Sequence, residues 1–149
     1  MSLTHHWRPA RHLRPIVLAI VRRGPAMLLT AVTDDAGTRI GWRPPGGGIE
    51  FAERSEEAAA REIREELDAV FEPVKRLGVL ENLYEHHGTA GHEIVIVWEG
   101  RLTDPGLAVA DSFVIEDGPF RDLAEWRDPA SLPPGEPLLP QGLAALLGP

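Results

Sequence analysis

The chain contains no cysteine among its 149 residues, which excludes disulfide scaffolds, thiolate zinc sites, iron–sulfur clusters and cysteine nucleophiles. It is also short of positive charge: 15 Lys and Arg stand against 23 Asp and Glu, for a formal net charge of −8. Such a surface repels nucleic acid and anionic lipid unless a local basic patch overrides it, so no extended nucleic-acid partner is expected. Phosphorylated small molecules remain open, because a bridging cation reconciles two anions. No apolar run approaches the roughly 18 residues of a membrane span. The short run at 16–21 follows a basic stretch and lacks the cleavage pattern of a secretory signal. The expected compartment is the cytoplasm, with no membrane partner. Internal repeats and interdomain linkers are lacking as well.

What remains is ordinary globular material, 43% hydrophobic and 26% charged, with enough chain to bury a core in one domain. Residues 4–15 (THHWRPARHLRP) carry His5, His6 and His12 without a fixed spacing on any element. Residues 1–14 are therefore read as a flexible N-terminal tail, and 15–149 as a single domain. Apolar, β-branched runs at 15–23 and 26–32 have strand length, and a turn at Asp34-Asp35-Ala36-Gly37 leads to a short strand at 39–42. Arg43-Pro44-Pro45-Gly46-Gly47-Gly48 is expected as irregular loop, since proline and glycine both disfavour regular structure. Residues 55–67 (SEEAAAREIREEL) predict a helix capped by Ser55, with Ala59, Ile63, Leu67 and Val70 as one buried stripe. Strands follow at 74–84 and 92–102, joined by a loop at 86–91 that His86, His87 and His92 flank. One more strand falls within 107–124, and a final helix at 141–147. The order predicts an α+β fold, an α/β/α sandwich in which the 55–67 helix and a C-terminal helix cover a mixed sheet.

One segment carries chemistry. At about 100° per residue, Glu62, Glu65 and Glu66 fall within an arc of about 100° on the 55–67 helix, near its C-terminal end. Three anions at the negative end of a helix dipole repel one another and the dipole. A hard divalent cation held by oxygen ligands resolves the conflict, and magnesium commonly joins carboxylates to substrate phosphates. A solvated helix laced by a Glu57–Arg61 pair is the bland alternative. Against it stand the glycine turn just upstream, whose backbone can approach a metal or phosphate closely, and Glu53 at a set distance from both.

Gly47, Glu53 and Arg61-Glu62-Ile63-Arg64-Glu65-Glu66 together resemble the signature box of the Nudix hydrolases, covering residues 47–69. The lead-in Trp42-Arg43-Pro44-Pro45-Gly46-Gly47 is similar to that family too. The pattern departs at Asp68, where the family has a glycine, and at Ala69, where it has a larger aliphatic. Asp tolerates the left-handed conformation better than most residues, so a helix stop survives. The resemblance implies that Glu62, Glu65 and Glu66 hold Mg2+ (Mn2+ as the alternative), joined by the Gly46 carbonyl. It implies that Arg61 orients the carboxylates by pairing with Glu53. Trp42 and Tyr84 are read from their aromatic rings as substrate-binding candidates that stack on a base, with Trp98 a further one, and core packing is the alternative for each. The base that deprotonates water comes from the box, with Glu53 and Glu66 as candidates, or from outside it, with Glu93 and then Glu116. The implied reaction is Mg-dependent hydrolysis of a pyrophosphate bond in a nucleoside diphosphate derivative, water attacking phosphorus. A catalytically silent nucleotide-binding sensor of the same fold, or an acidic domain acting only through protein contacts, are the other readings. Exposed strand edges leave room for a homodimer.

Overall fold

The β-branched runs fold as strands and the Ala/Glu-rich segment as helix in the computed structural model, which describes residues 7–104, 110–117 and 120–148, without the side chains of 116, 117, 120 and 121. The elements are β1 (Leu13–Arg23), β2 (Ala26–Thr33), β3 (Arg39–Arg43), β4 (Gly46–Gly48), α1 (Ser55–Leu67), β5 (Phe71–His86), β6 (Thr89–Leu102), β7 (Ser112–Asp117), β8 (Phe120–Arg127), a 3-10 turn at Pro129–Ser131, and α2 (Leu143–Leu147). The main strand order is β5-β6-β1-β2-β8-β7, with β3 added to β2 and β4 to β1. β1 runs parallel to β6 and every other pair is antiparallel, so the sheet is mixed.

Side-chain alternation along β1 divides the core in two. Val17, Ala19 and Val21 face α1 and pack with Ala58, Ala59, Ile63 and Leu67. Ile16, Leu18 and Ile20 face the other way, with Val95, Val97, Trp42 and Leu143 of α2. This is the expected α/β/α sandwich. The strand containing 94–98 lies between β5 and β1, with Val95 and Val97 fully buried and Ile94, Ile96 and Trp98 half-buried. Among the described residues no helix is long and apolar enough to cross a membrane.

Several local expectations are corrected. Gly46–Gly48 is a strand and not loop, pairing with Leu18, Val17 and Ile16. Missing side chains permit this: a Cβ on Gly46 would collide with the Val17 carbonyl oxygen. The 86–91 loop shrinks to His87-Gly88, because His86 pairs with Thr89 and the ladder continues through Tyr84 and Gly91. Both turn residues have positive φ, 50° and 80°, as a two-residue hairpin of matching twist requires. The stretch at 107–124 contributes to a hairpin of two strands, β7 and β8, where one strand was expected. Val70 lies past the end of α1 and is 53% exposed, so the buried stripe ends at Leu67. The helix N-cap is Arg54, whose amide donates to Glu57 Oε2 at 3.3 Å, while Ser55 Oγ accepts from Trp98 Nε1 at 2.9 Å. Asp68 does stop the helix in the left-handed conformation, φ 51°, its amide bonded to the Arg64 carbonyl.

Candidate active site

The 13-residue α1 places its carboxylates beside β4. A Cβ on Gly47 would lie 2.6 Å from the Glu62 carboxylate, so only a glycine lets that side chain lie flat on the strand. Arg61 is the hub. Its Nε donates to Glu53 Oε2 at 2.7 Å and its Nη2 to Glu53 Oε1 at 2.9 Å, a two-pronged pair. The same Nη2 donates to the Gly48 carbonyl at 2.8 Å, and Nη1 reaches Glu62 at 3.0 Å and Glu65 at 3.3 Å. One planar guanidinium thus ties loop, strand and helix together, a geometry that suits arginine and not lysine. Arg61 pairs with Glu53 and the box rather than with Glu57. Glu53 in turn accepts from the Glu50 amide at 3.1 Å, which closes the loop on itself.

These contacts set the local protonation. The Arg61 hydrogen bonds, with the Glu50 amide, hold the Glu53 carboxyl below its ordinary 4.5, and the Arg61 guanidinium, hydrogen-bonded to Glu53 and flanked by Glu62 and Glu65, is held above its usual range. Glu53 is therefore an anion with its oxygens already engaged, a poor group for taking up a proton. Glu66 is buried on α1, only 9% exposed, whereas the Glu65 side chain is 57% exposed. Gly46 stands opposite Leu18 at the β1 ladder.

The remaining candidates lie elsewhere. Glu93 is 6% exposed and shares its face of β6 with Val95 and Val97, the α2 side of the sheet. Its Oε1 accepts from Asn82 Nδ2 at 3.1 Å, and its Oε2 is 3.9 Å from Arg14 Nη1. Tyr84, on the same side, has its ring over Gly91 and its hydroxyl pushed up in pKa by burial and by Glu93. The structure thus brings Glu53, Arg61, Glu62 and Glu65 together and sets Glu93 and Tyr84 apart, across the sheet from α1. Trp42 is a core residue, 1% exposed, with Nε1 bonded to Glu136 and the guanidiniums of Arg39 and Arg127 over its ring at 5.3 and 4.5 Å. The Glu116 side chain lies outside the described residues, as do His5 and His6.

Arg14 and Asn82 were not singled out from sequence. Both are direct cross-strand neighbours of Glu93, Arg14 through the parallel β1–β6 register and Asn82 through the β5–β6 hairpin. Arg14 Nη2 also comes within 3.8 Å of a Cβ placed on Gly48. That arginine therefore spans from the glycine strand of the box to the buried Glu93.

The family model for the NUDIX domain matches residues 12–146. The chain belongs to the Nudix family. Over 55 residues it is 49% identical to nucleoside triphosphatase NudI of Escherichia coli O139:H28 (strain E24377A / ETEC), a match spanning 36% of this chain and 39% of that protein. NudI of Shigella flexneri matches to the same extent. The chain thus aligns with well under half the length of these curated relatives. Among solved structures, a MutT NUDIX hydrolase from Burkholderia pseudomallei superposes with a TM-score of 0.66 at 25% identity, covering 92% of this chain and 98% of that one. A UDP-X diphosphatase shares the fold at a TM-score of 0.64 and 16% identity, over 98% of this chain and 64% of that one. Nudix enzymes generally use divalent metals, and the donor set here fits one: carboxylate oxygens on one helix end, laid against a glycine strand that no Cβ obstructs.

Proposed function

We propose that this Nudix chain hydrolyses a pyrophosphate bond in a nucleoside diphosphate derivative and requires Mg2+, with Mn2+ as a substitute. The observation that supports this best is the Arg61 hub, which holds Glu53, Glu62, Glu65 and the Gly48 carbonyl in one cluster. A solvated helix face has no use for a guanidinium that gathers carboxylates of like charge. Glu62, Glu65 and Glu66 hold the cation, with the Gly46 carbonyl as a further ligand. The chemistry it supplies there is Lewis-acid activation of water and neutralisation of charge on the leaving phosphate. Arg61 fixes the carboxylates before substrate arrives, so no reorganisation is needed during the reaction. Glu53 works through Arg61 as a positioning residue, because its oxygens are engaged and its carboxyl is held anionic. Glu66 takes the proton from the attacking water at its carboxylate. On the α2 side, Arg14 meets the substrate anion with Glu93 and Asn82 behind it, and Tyr84 flanks the organic moiety.

Mg-dependent turnover of nucleoside triphosphates, nucleotide sugars, ADP-ribose and dinucleoside polyphosphates tests the reaction. Release of phosphate or nucleoside monophosphate that stops in excess chelator is the expected result. Ligand-induced stabilisation with no turnover of any of them would leave the silent-sensor reading instead. Oligomeric state, proposed as a homodimer through an exposed sheet edge, is read in the same preparations by light scattering.

Glu93→Gln separates the two roles open to that residue. As the partner of Arg14 it affects substrate binding, so KM should rise several-fold to about tenfold, the scale of a typical net hydrogen bond of about 0.5–1.5 kcal/mol, with kcat within about threefold of wild type. A fall in kcat of about a hundredfold or more, with KM unchanged, would instead make Glu93 the general base.

A further inference from the structure

Three segments distant in sequence converge at one end of the sheet, outside the two apolar core clusters of the described residues. They are Trp7 and Arg8 ahead of β1, the Asp34-Asp35 turn between β2 and β3, and the His86-His87 tip of the β5–β6 hairpin. Asp34 is used up in building its own turn, its Oδ1 accepting from the Ala36 and Thr38 amides at 2.9 Å each. Asp35, the next residue, meets the hairpin. Its amide donates to His87 Nε2 at 3.2 Å, and its Oδ1 lies 3.6 Å from the same nitrogen. The two imidazoles meet edge to face with centroids 4.5 Å apart, and Trp7 sits at 5.5 Å from His86. One donor atom from each of Asp35, His86 and His87 lies within 4.8 Å of the others.

We propose that Asp35, His86 and His87 form a second cation site, separate from the box, for a borderline divalent transition metal such as zinc. The donors argue for that class. Two imidazoles and one carboxylate suit zinc, nickel or cobalt, whereas magnesium prefers an all-oxygen shell like that on α1. Around a tetrahedral ion at about 2.0–2.1 Å the donors stand roughly 3.3 Å apart, so the cluster closes by rotation of side chains at an exposed hairpin tip. His87 Nε2 already accepts a hydrogen bond, so its lone pair faces the cluster. Three protein ligands leave a fourth position open to water or another ligand.

Arg8 is the competitor. It donates to Asp35 Oδ1 at 3.1 Å and to Oδ2 at 2.7 Å, neutralising the carboxylate that the ion needs. This gives the proposal a signature that a plain ion-pair latch lacks, because removing Arg8 strengthens metal binding while removing a histidine weakens it. The experiment uses the full chain carrying His5→Ala and His6→Ala, so that this pair contributes nothing, with millimolar magnesium present to occupy the box. Zinc is titrated by calorimetry and by melting temperature. The expected result is one equivalent of zinc bound and a rise in Tm. Affinity should fall at least tenfold in His86→Ala, His87→Ala and Asp35→Asn, and rise several-fold in Arg8→Gln. Mg-dependent turnover of these variants reports separately on the box, and circular dichroism reports on the fold. No zinc binding in magnesium, zinc binding indifferent to both histidines, or weaker binding in Arg8→Gln would each overturn the site.

Discussion

Glu66→Gln abolishes turnover and leaves the fold intact, and Glu65→Gln does the same with a smaller structural footprint. Glutamine keeps the shape and helix propensity of glutamate, so the backbone of α1 has no reason to change. In the metal-free protein each substitution relieves like-charge repulsion among Glu62, Glu65 and Glu66. With the cation bound, the same change deletes an anionic ligand. If that forfeits about 4 kcal/mol of the several that a metal contributes to the transition state, turnover drops about a thousandfold. Magnesium should raise the wild-type Tm by linkage and raise it less in either variant. Glu65 adds a control: it is the more exposed carboxylate and contacts Arg61 at the long distance of 3.3 Å, so its loss barely disturbs the hub. Equal magnesium stabilisation in wild type and variants, with hydrolysis retained, would falsify the carboxylate site.

The parts of this site that were legible in the sequence are those fixed by local spacing. The three glutamates share a helix side because a 13-residue Ala/Glu-rich segment obeys the 3.6-residue period. Asp68 ends the helix because a short polar side chain tolerates the left-handed region, and φ there is 51°. What was not legible depends on register. A parallel pair has no turn to set its alignment, so nothing local says that Arg14 stands beside Glu93. The antiparallel pairing of Gly46–Gly48 with β1 is equally hidden, because β2 and β3 intervene in the chain and no hairpin turn joins the two strands. Side-chain alternation then decides which face a strand residue serves, and it puts Glu93 on the α2 side, across the sheet from the box. Trp42 illustrates the same point from packing. Its aromatic ring is open to stacking on a base or to core packing, and the pairing of β3 with β2, which carries it into the core, decides for packing.

Arg61→Ala should cost nearly as much activity as losing a ligand, by a different route and with the opposite response to magnesium. The substitution leaves Glu53 and Glu62, each with a side chain only 14% exposed, facing each other without their common cation. It also strips the Gly48 carbonyl of its donor. Hydrogen bonds to charged groups are worth about 1.5–3 kcal/mol each. The Arg61 side chain is 24% exposed, so screening reduces the sum, and a loss of about 2–3 kcal/mol in stability is expected. Glu62 and Glu65 then lose their fixed positions, and kcat falls about a hundredfold, the scale on which misplacement of about an ångström acts. No metal ligand is removed, however, and the carboxylates repel one another more strongly than before. Magnesium should therefore raise the Tm of Arg61→Ala by more than it raises that of wild type, whereas Glu66→Gln shows a smaller rise. Arg61→Lys restores the charge but cannot bond both Glu53 oxygens and the Gly48 carbonyl at once, so it recovers stability better than kcat. A magnesium response in Arg61→Ala as small as that of Glu66→Gln would mean that the guanidinium builds the cation site itself, and that the carboxylates alone do not.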